Sequence, residues 1–159
     1  EFNGVKVKVN SEMMAVEVEG VKSRVRMLVA DFREPGSEVQ NVVVNFTGFP
    51  GMNARVRNEF LRGKFDSPTA KASLDINGFE RAAMEKGLLF IPELQTLPVD
   101  KREKKQTFMT DAKAILASVE QVMKQRFSEP TKALDESTQV SLIGFSNGAG
   151  EAGAAAATS

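Results

Sequence analysis

Apolar and polar residues alternate along the first third of the chain. Val5, Val7 and Val9 flank Lys6 and Lys8. Met14, Val16 and Val18 enclose Ala15 and Glu17, and Val25, Met27 and Val29 follow Arg24 with Arg26 and Leu28 between them. A period of two with one polar face predicts strands of an antiparallel meander, and Asn10-Ser11 and Gly20 supply turn chemistry between them. The pattern then becomes continuous at Val42-Val43-Val44, at Leu88-Leu89-Phe90-Ile91 and at Leu142-Ile143. Strands apolar on both faces belong in a parallel sheet covered by helices.

Helical periods separate these runs. Phe79 to Lys86 reads as a helix with Asn77 as its cap, Glu80 in its first turn and Gly87 at its end. Phe108, Ala112, Ile115, Leu116, Val119, Val122, Met123 and Phe127 recur at spacings of three and four, which predicts a long amphipathic helix capped by Thr107 and stopped before Pro130. The segment from Met52 to Asp75 reads as a short helix around Val56 to Leu61 and otherwise as loop. The charged run from Asp100 to Lys105 reads as a solvated approach to the long helix. The order predicts an α/β fold, a three-layer sandwich in which antiparallel N-terminal strands lead into a parallel sheet, with residues 1–159 forming a single domain.

Composition narrows the chemistry. Lys plus Arg and Asp plus Glu number 21 each, so the net charge is zero and no nucleic-acid or anionic-membrane surface is expected. Cysteine and histidine are both absent. That removes thiolate chemistry, disulfides and ordinary zinc sites, and neither metal nor cofactor is expected. No signal-peptide pattern and no apolar run of membrane-spanning length occurs, which leaves the cytoplasm as the default compartment. The first residue is not Met, and the chain is expected to be processed or part of something longer.

The most informative stretch is Gly144-Phe145-Ser146-Asn147-Gly148. It follows Val140-Ser141-Leu142-Ile143 and opens an alanine-rich segment, Glu151 to Ala157, so a serine sits at the apex of a strand-turn-helix. Residues two before and two after such an apex approach closely, and glycine at 144 and 148 avoids their collision. The following helix points its N-terminus at the reacting centre, where the Asn147 N–H can stabilise an oxyanion. Three fixed residues of common type arise by chance in about one chain in twenty of this length, so the flanking strand and small-residue helix carry much of the weight. A second element is Thr47-Gly48-Phe49-Pro50-Gly51, directly after Val42-Val43-Val44-Asn45-Phe46. A glycine there lets the chain turn the Phe49 N–H toward the serine. Gly144, Gly148 and Gly150 also suggest a phosphate loop, but their spacing matches neither G-x-G-x-x-G nor G-x-x-x-x-G-K-[ST].

Taken together, these two segments make the chain resemble the N-terminal half of an α/β-hydrolase fold protein. Thr47-Gly48-Phe49-Pro50-Gly51 is similar to the family's His-Gly-x-Pro oxyanion loop, and Gly144-Phe145-Ser146-Asn147-Gly148 to its Gly-x-Ser-x-Gly elbow. The resemblance implies Ser146 as nucleophile, Phe49 and Asn147 as backbone oxyanion donors, and Gly48, Pro50, Gly144 and Gly148 as support. It implies hydrolysis of a small-molecule carboxylic ester or related acyl bond through an acyl-enzyme. Thr47 stands where the family often has His. The acid and histidine of the triad follow the elbow and its helix in that family, and in this sequence nothing follows that helix. Asp31, Glu34, Glu93 and Lys104 are available upstream without a spacing that selects one. The expectation is therefore a serine hydrolase completed by further residues or by a second polypeptide, with that polypeptide or a second copy covering the last strand's edge. The alternatives are a non-catalytic binding or scaffold domain of the same topology and, last, a nucleotide-binding module.

Overall fold

Three strands, three helices, a strand, a helix and a strand follow one another along the chain. The computed structural model describes residues 2, 4–18, 20–46, 54–76, 78–94, 104–126, 139–144, 153 and 156. Its elements are β1 (Lys8–Val18), β2 (Val21–Asp31), β3 (Asn41–Phe46), α1 (Ala54–Leu61), α2 (Pro68–Ile76), α3 (Phe79–Glu85), β4 (Leu88–Leu94), α4 (Lys104–Arg126) and β5 (Gln139–Gly144). The strands form one mixed sheet in the order β1-β2-β4-β3-β5. β1 with β2 and β2 with β4 are antiparallel, whereas β3 is parallel to both β4 and β5. The protein is thus α/β, with antiparallel N-terminal strands feeding parallel ones.

Alternation along each strand sorts the core onto two faces. Leu28, Ala30 and Phe32 of the β2 region, Val43 of β3 and Leu89 and Ile91 of β4 pack with Val56, Phe60, Ala70, Leu74 and Phe79. Val25, Met27, Val29, Val42, Val44, Phe46, Leu88 and Phe90 face the other way, onto Ala112, Ile115, Val119, Val122 and Met123 of α4. The crossovers from β3 to β4 and from β4 to β5 run in opposite directions across the sheet. Right-handed connections then place their helices on opposite faces, which is where α1–α3 and α4 lie.

Five local expectations are corrected. β1 is one continuous strand: Asn10 pairs with Val29 and Ser11 with Leu28, so Asn10-Ser11 is no turn. The apolar phase changes inside it. Val9 packs toward the α1–α3 face and Met14 and Val16 toward the α4 face, so one strand serves both cores in turn. Residues 68–76 form a helix instead of a loop. Ser67 Oγ accepts the Ala70 N–H at 3.1 Å and Pro68 takes the first helical position, where its missing N–H costs nothing. At α3 the N-cap is Gly78 (φ 69°), with no side-chain cap, and Asn77 lies outside the described residues. The same helix ends on Lys86 in the left-handed region (φ 49°), not on glycine. Gly87 has a different duty: a Cβ there would run into the Asn41 backbone, because the entry to β4 is pressed against the start of β3. Finally, α4 begins at Lys104, three residues before Thr107, so Thr107 lies inside the helix rather than capping it, and Lys104 and Lys105 of the charged run are helical.

Candidate active site

The site must be built from the carboxyl ends of the parallel strands, because both segments that suggest chemistry leave from there. β3 and β5 pair without a break from Asn41↔Gln139 to Phe46↔Gly144. Neighbouring strands lie about 4.8 Å apart. The carboxyl ends of the two strands, Phe46 and Gly144, therefore lie side by side at the same level. Ser146, Asn147 and Gly148, and likewise Gly48, Phe49 and Pro50, lie outside the described residues. Gly144 is placed as the final residue of β5. Of the small-residue helix expected after the elbow, Gly153 and Ala156 are described, and both are helical.

On the other side of β3 the ladder is shorter. β3 and β4 are in register only from Val42↔Leu88 to Val44↔Phe90, although β4 runs on to Leu94. Pro92 stands in that continuation, buried and paired in register with Met27 of β2. A proline has no N–H to give to a ladder, and the pairing with β3 ends before it. Open α/β sheets bind ligands where adjacent strands send their connections to opposite faces. β3 and β4 are such a pair, with α1–α3 following one and α4 the other.

Two buried polar features mark this edge. Asn45 is fully buried at the last position but one of β3 and, by alternation, shares the side of Val43. Glu93, near the end of β4, is buried on the α1 side and held by Arg57 of α1. Arg57 Nη2 donates to Oε1 at 2.8 Å and to Oε2 at 2.6 Å, and Nε donates to Oε1 at 3.3 Å. The two side chains are 11% and 7% exposed. Burial pushes the Glu93 carboxyl above its ordinary 4.5. The hydrogen bond and charge of Arg57, and the charge of Arg26, pull it back without cancelling the rise. Arg26 lies opposite Glu93 in the β2–β4 register.

The upstream ionisable residues now separate by position. Asp31 pairs with Leu88 in the ladder, at the far end of β4 from Glu93, and its carboxylate is taken by Arg33. Glu34 is exposed and bonded to Lys86 on the same far side. Lys104 opens α4. Unlike Asp31 and Glu34, Glu93 stands at the carboxyl edge. Among the described residues no group of three or more carboxylates could hold a metal ion, and no helix is long and apolar enough to cross a membrane.

Sequence reasoning did not single out the Arg57–Glu93 pair or Asn45. The available signal was a glutamate closing an otherwise apolar strand, Leu88-Leu89-Phe90-Ile91-Pro92-Glu93-Leu94, and an arginine set between Val56 and Phe60 of an amphipathic helix. No protein-family model matches the chain, and no curated protein matches it.

Proposed function

We propose that the chain is part of an α/β-hydrolase-fold serine hydrolase that cleaves carboxylic ester or related acyl bonds. The observation that supports this reading most is the unbroken parallel pairing of β3 with β5 up to Phe46↔Gly144. It starts Thr47-Gly48-Phe49-Pro50-Gly51 and Gly144-Phe145-Ser146-Asn147-Gly148 next to one another, as a nucleophile with two backbone oxyanion donors requires. In the proposed reaction the Ser146 hydroxyl attacks the acyl carbon. The Phe49 and Asn147 N–H groups donate to the oxyanion, the alcohol leaves with a proton, and water then releases the acid from the acyl-serine. The general base is supplied by residues outside this sequence or by a second polypeptide, and is worth roughly a hundred- to ten-thousand-fold in rate. That polypeptide, or a second copy of the chain, also covers the outer edge of β5, which among the described residues pairs only with β3.

The test is covalent labelling of the complete assembly with a fluorophosphonate, followed by peptide mapping. A modified Ser146, lost in Ser146→Ala, is the expected result. A second reading, a non-catalytic binding or scaffold domain of the same topology, is favoured by the absence of histidine from all 159 residues. Failure of Ser146 to label in the complete assembly would establish that reading instead.

A further inference from the structure

We propose that the outer half of the β1–β2 hairpin is a docking surface for an acidic segment of a partner protein. The switch of apolar phase in β1 leaves this surface open. By alternation Lys22, Arg24 and Arg26 of β2 share the side of Leu28 and Ala30. Opposite them in the ladder stand Glu17, Ala15 and Met13 of β1, and directly opposed residues of an antiparallel pair lie on one face. Leu28 is buried in the core under α1–α3, whereas Met13 is 39% exposed, and Ala15, Glu17, Lys22 and Arg24 are exposed as well. Arg26 is half-buried at the inner end, where Glu93 stands opposite it in the grip of Arg57. Lys22, Arg24, Arg26 and Arg57 thus face two carboxylates, Glu17 and Glu93, in a chain whose net charge is zero.

Alternate residues of a strand lie about 7 Å apart, so Lys22, Arg24 and Arg26 form a straight row about 14 Å long. Alternate carboxylates of an extended acidic segment repeat at the same distance, and a guanidinium can take one by two parallel hydrogen bonds. Met13 and Ala15 run beside the row and offer apolar surface to the same segment. Single-stranded nucleic acid has a comparable charge spacing, but sites for it add aromatic rings on which bases stack, and none of the six hairpin residues is aromatic. A flat anionic membrane fits no better. α1 stands on the sheet where the row ends, with Arg57 only 11% exposed, and holds a bilayer away from Arg26. One exposed ion pair is worth little, so the affinity is collective and falls as salt rises. The surface lies on the hairpin, apart from the segments of the hydrolase reading, and does not depend on it.

The probe is fluorescein-labelled decaglutamate, followed by anisotropy against the full chain at about 20 mM and about 150 mM salt. Lys22→Ala/Arg24→Ala is compared with Lys64→Ala/Lys71→Ala, which removes the same charge from exposed positions before and within α2. The parent should bind, and more weakly at the higher salt. The hairpin variant should bind about tenfold more weakly than the parent, as the loss of two exposed ion pairs implies, and the control should stay within about twofold. Thermal midpoints should be unchanged in both. Arg24→Glu alone should weaken binding at least as much, and is read in the same way if the double variant does not fold. No binding by the parent at the lower salt, or an equal loss in the two double variants, overturns the proposal. Tighter binding of labelled decathymidylate, or of phosphatidylserine vesicles, than of decaglutamate overturns it in favour of nucleic acid or membrane.

Discussion

The two faces of the sheet solve the same burial problem with different materials. Under α1–α3 the core is aromatic: Phe2, Phe32, Phe60, Phe65 and Phe79 meet in edge-on and tilted pairs. Under α4 it is, among the described residues, mainly aliphatic, with Val25, Met27, Val42, Val44, Ile115, Val119, Val122 and Met123, and with Phe46 and Phe90 as rings. The first face is roofed by three short helices, the second by one helix of 23 residues. Rings of fixed shape demand fixed neighbours, whereas methionine and valine can repack around a change of similar volume. The face that leads from β3 into α1, beside the candidate oxyanion segment, is thus the less forgiving one.

That contrast can be broken most directly at Phe79, whose ring centroid lies 4.8 Å from that of Phe60 and within 6.0 Å of those of Phe2, Phe32 and Phe65. Phe79→Ala should lower unfolding free energy by about 3–5 kcal/mol, read from denaturant titration. Met123→Leu, on the opposite face and equally buried, should cost less than about 1.5 kcal/mol in the same assay. A similar cost at both positions would dissolve the distinction. Gly87→Ala sharpens it at the joint between α3 and β4. The added methyl meets the Asn41 backbone and should destabilise by about 1–3 kcal/mol, although Gly87 needs no unusual φ.

A smaller effect is expected at the cap of α2. Ser67→Ala removes the acceptor for the Ala70 N–H and a hydrogen bond to Glu59 Oε2 at 2.7 Å, and should cost about 1 kcal/mol. The smallest effect is a slope. Burial raises the Glu93 carboxyl above 4.5, so just above that pH the folded chain holds a proton that the unfolded chain releases. The stability from this group is complete below 4.5 and is lost as pH rises through the folded-state value. Denaturant midpoints followed from about pH 4 to about pH 7 should fall with this component in the parent. The component should vanish in Arg57→Met/Glu93→Leu; an identical slope in both proteins would assign it elsewhere.

How much of this was legible in the sequence depended on the range of the interactions involved. Val42-Val43-Val44 and Leu88-Leu89-Phe90-Ile91 announced buried strands because burial on both faces is written into consecutive residues. The apolar face of α4 was equally plain, since Ala112, Ile115, Val119, Val122 and Met123 repeat at the helical period. β1 misled because its apolar phase switches between Val9 and Met14, and only a strand that borders two cores rewards that switch. α2 was missed even though Ser67-Pro68 is a helix-start signal, because its apolar residues Ala70, Ala72, Leu74 and Ile76 fall at a spacing of two and not at the helical period. The Ser146 and Phe49 segments were read from motif and spacing. The partnership of Arg57 with Glu93, 36 positions apart, is a product of the fold and had no local trace.

The six-rung ladder between β3 and β5 has a consequence for how this region can change. Removing or adding one residue within Val140–Ile143 would shift everything beyond it by about 3.3 Å along the sheet and turn it to the opposite side. Substitutions in β5 are open to compensation by neighbours, but its length is not. Variation in this part of the molecule should therefore take the form of exchanged side chains, with insertions and deletions confined to the segments before Gln139.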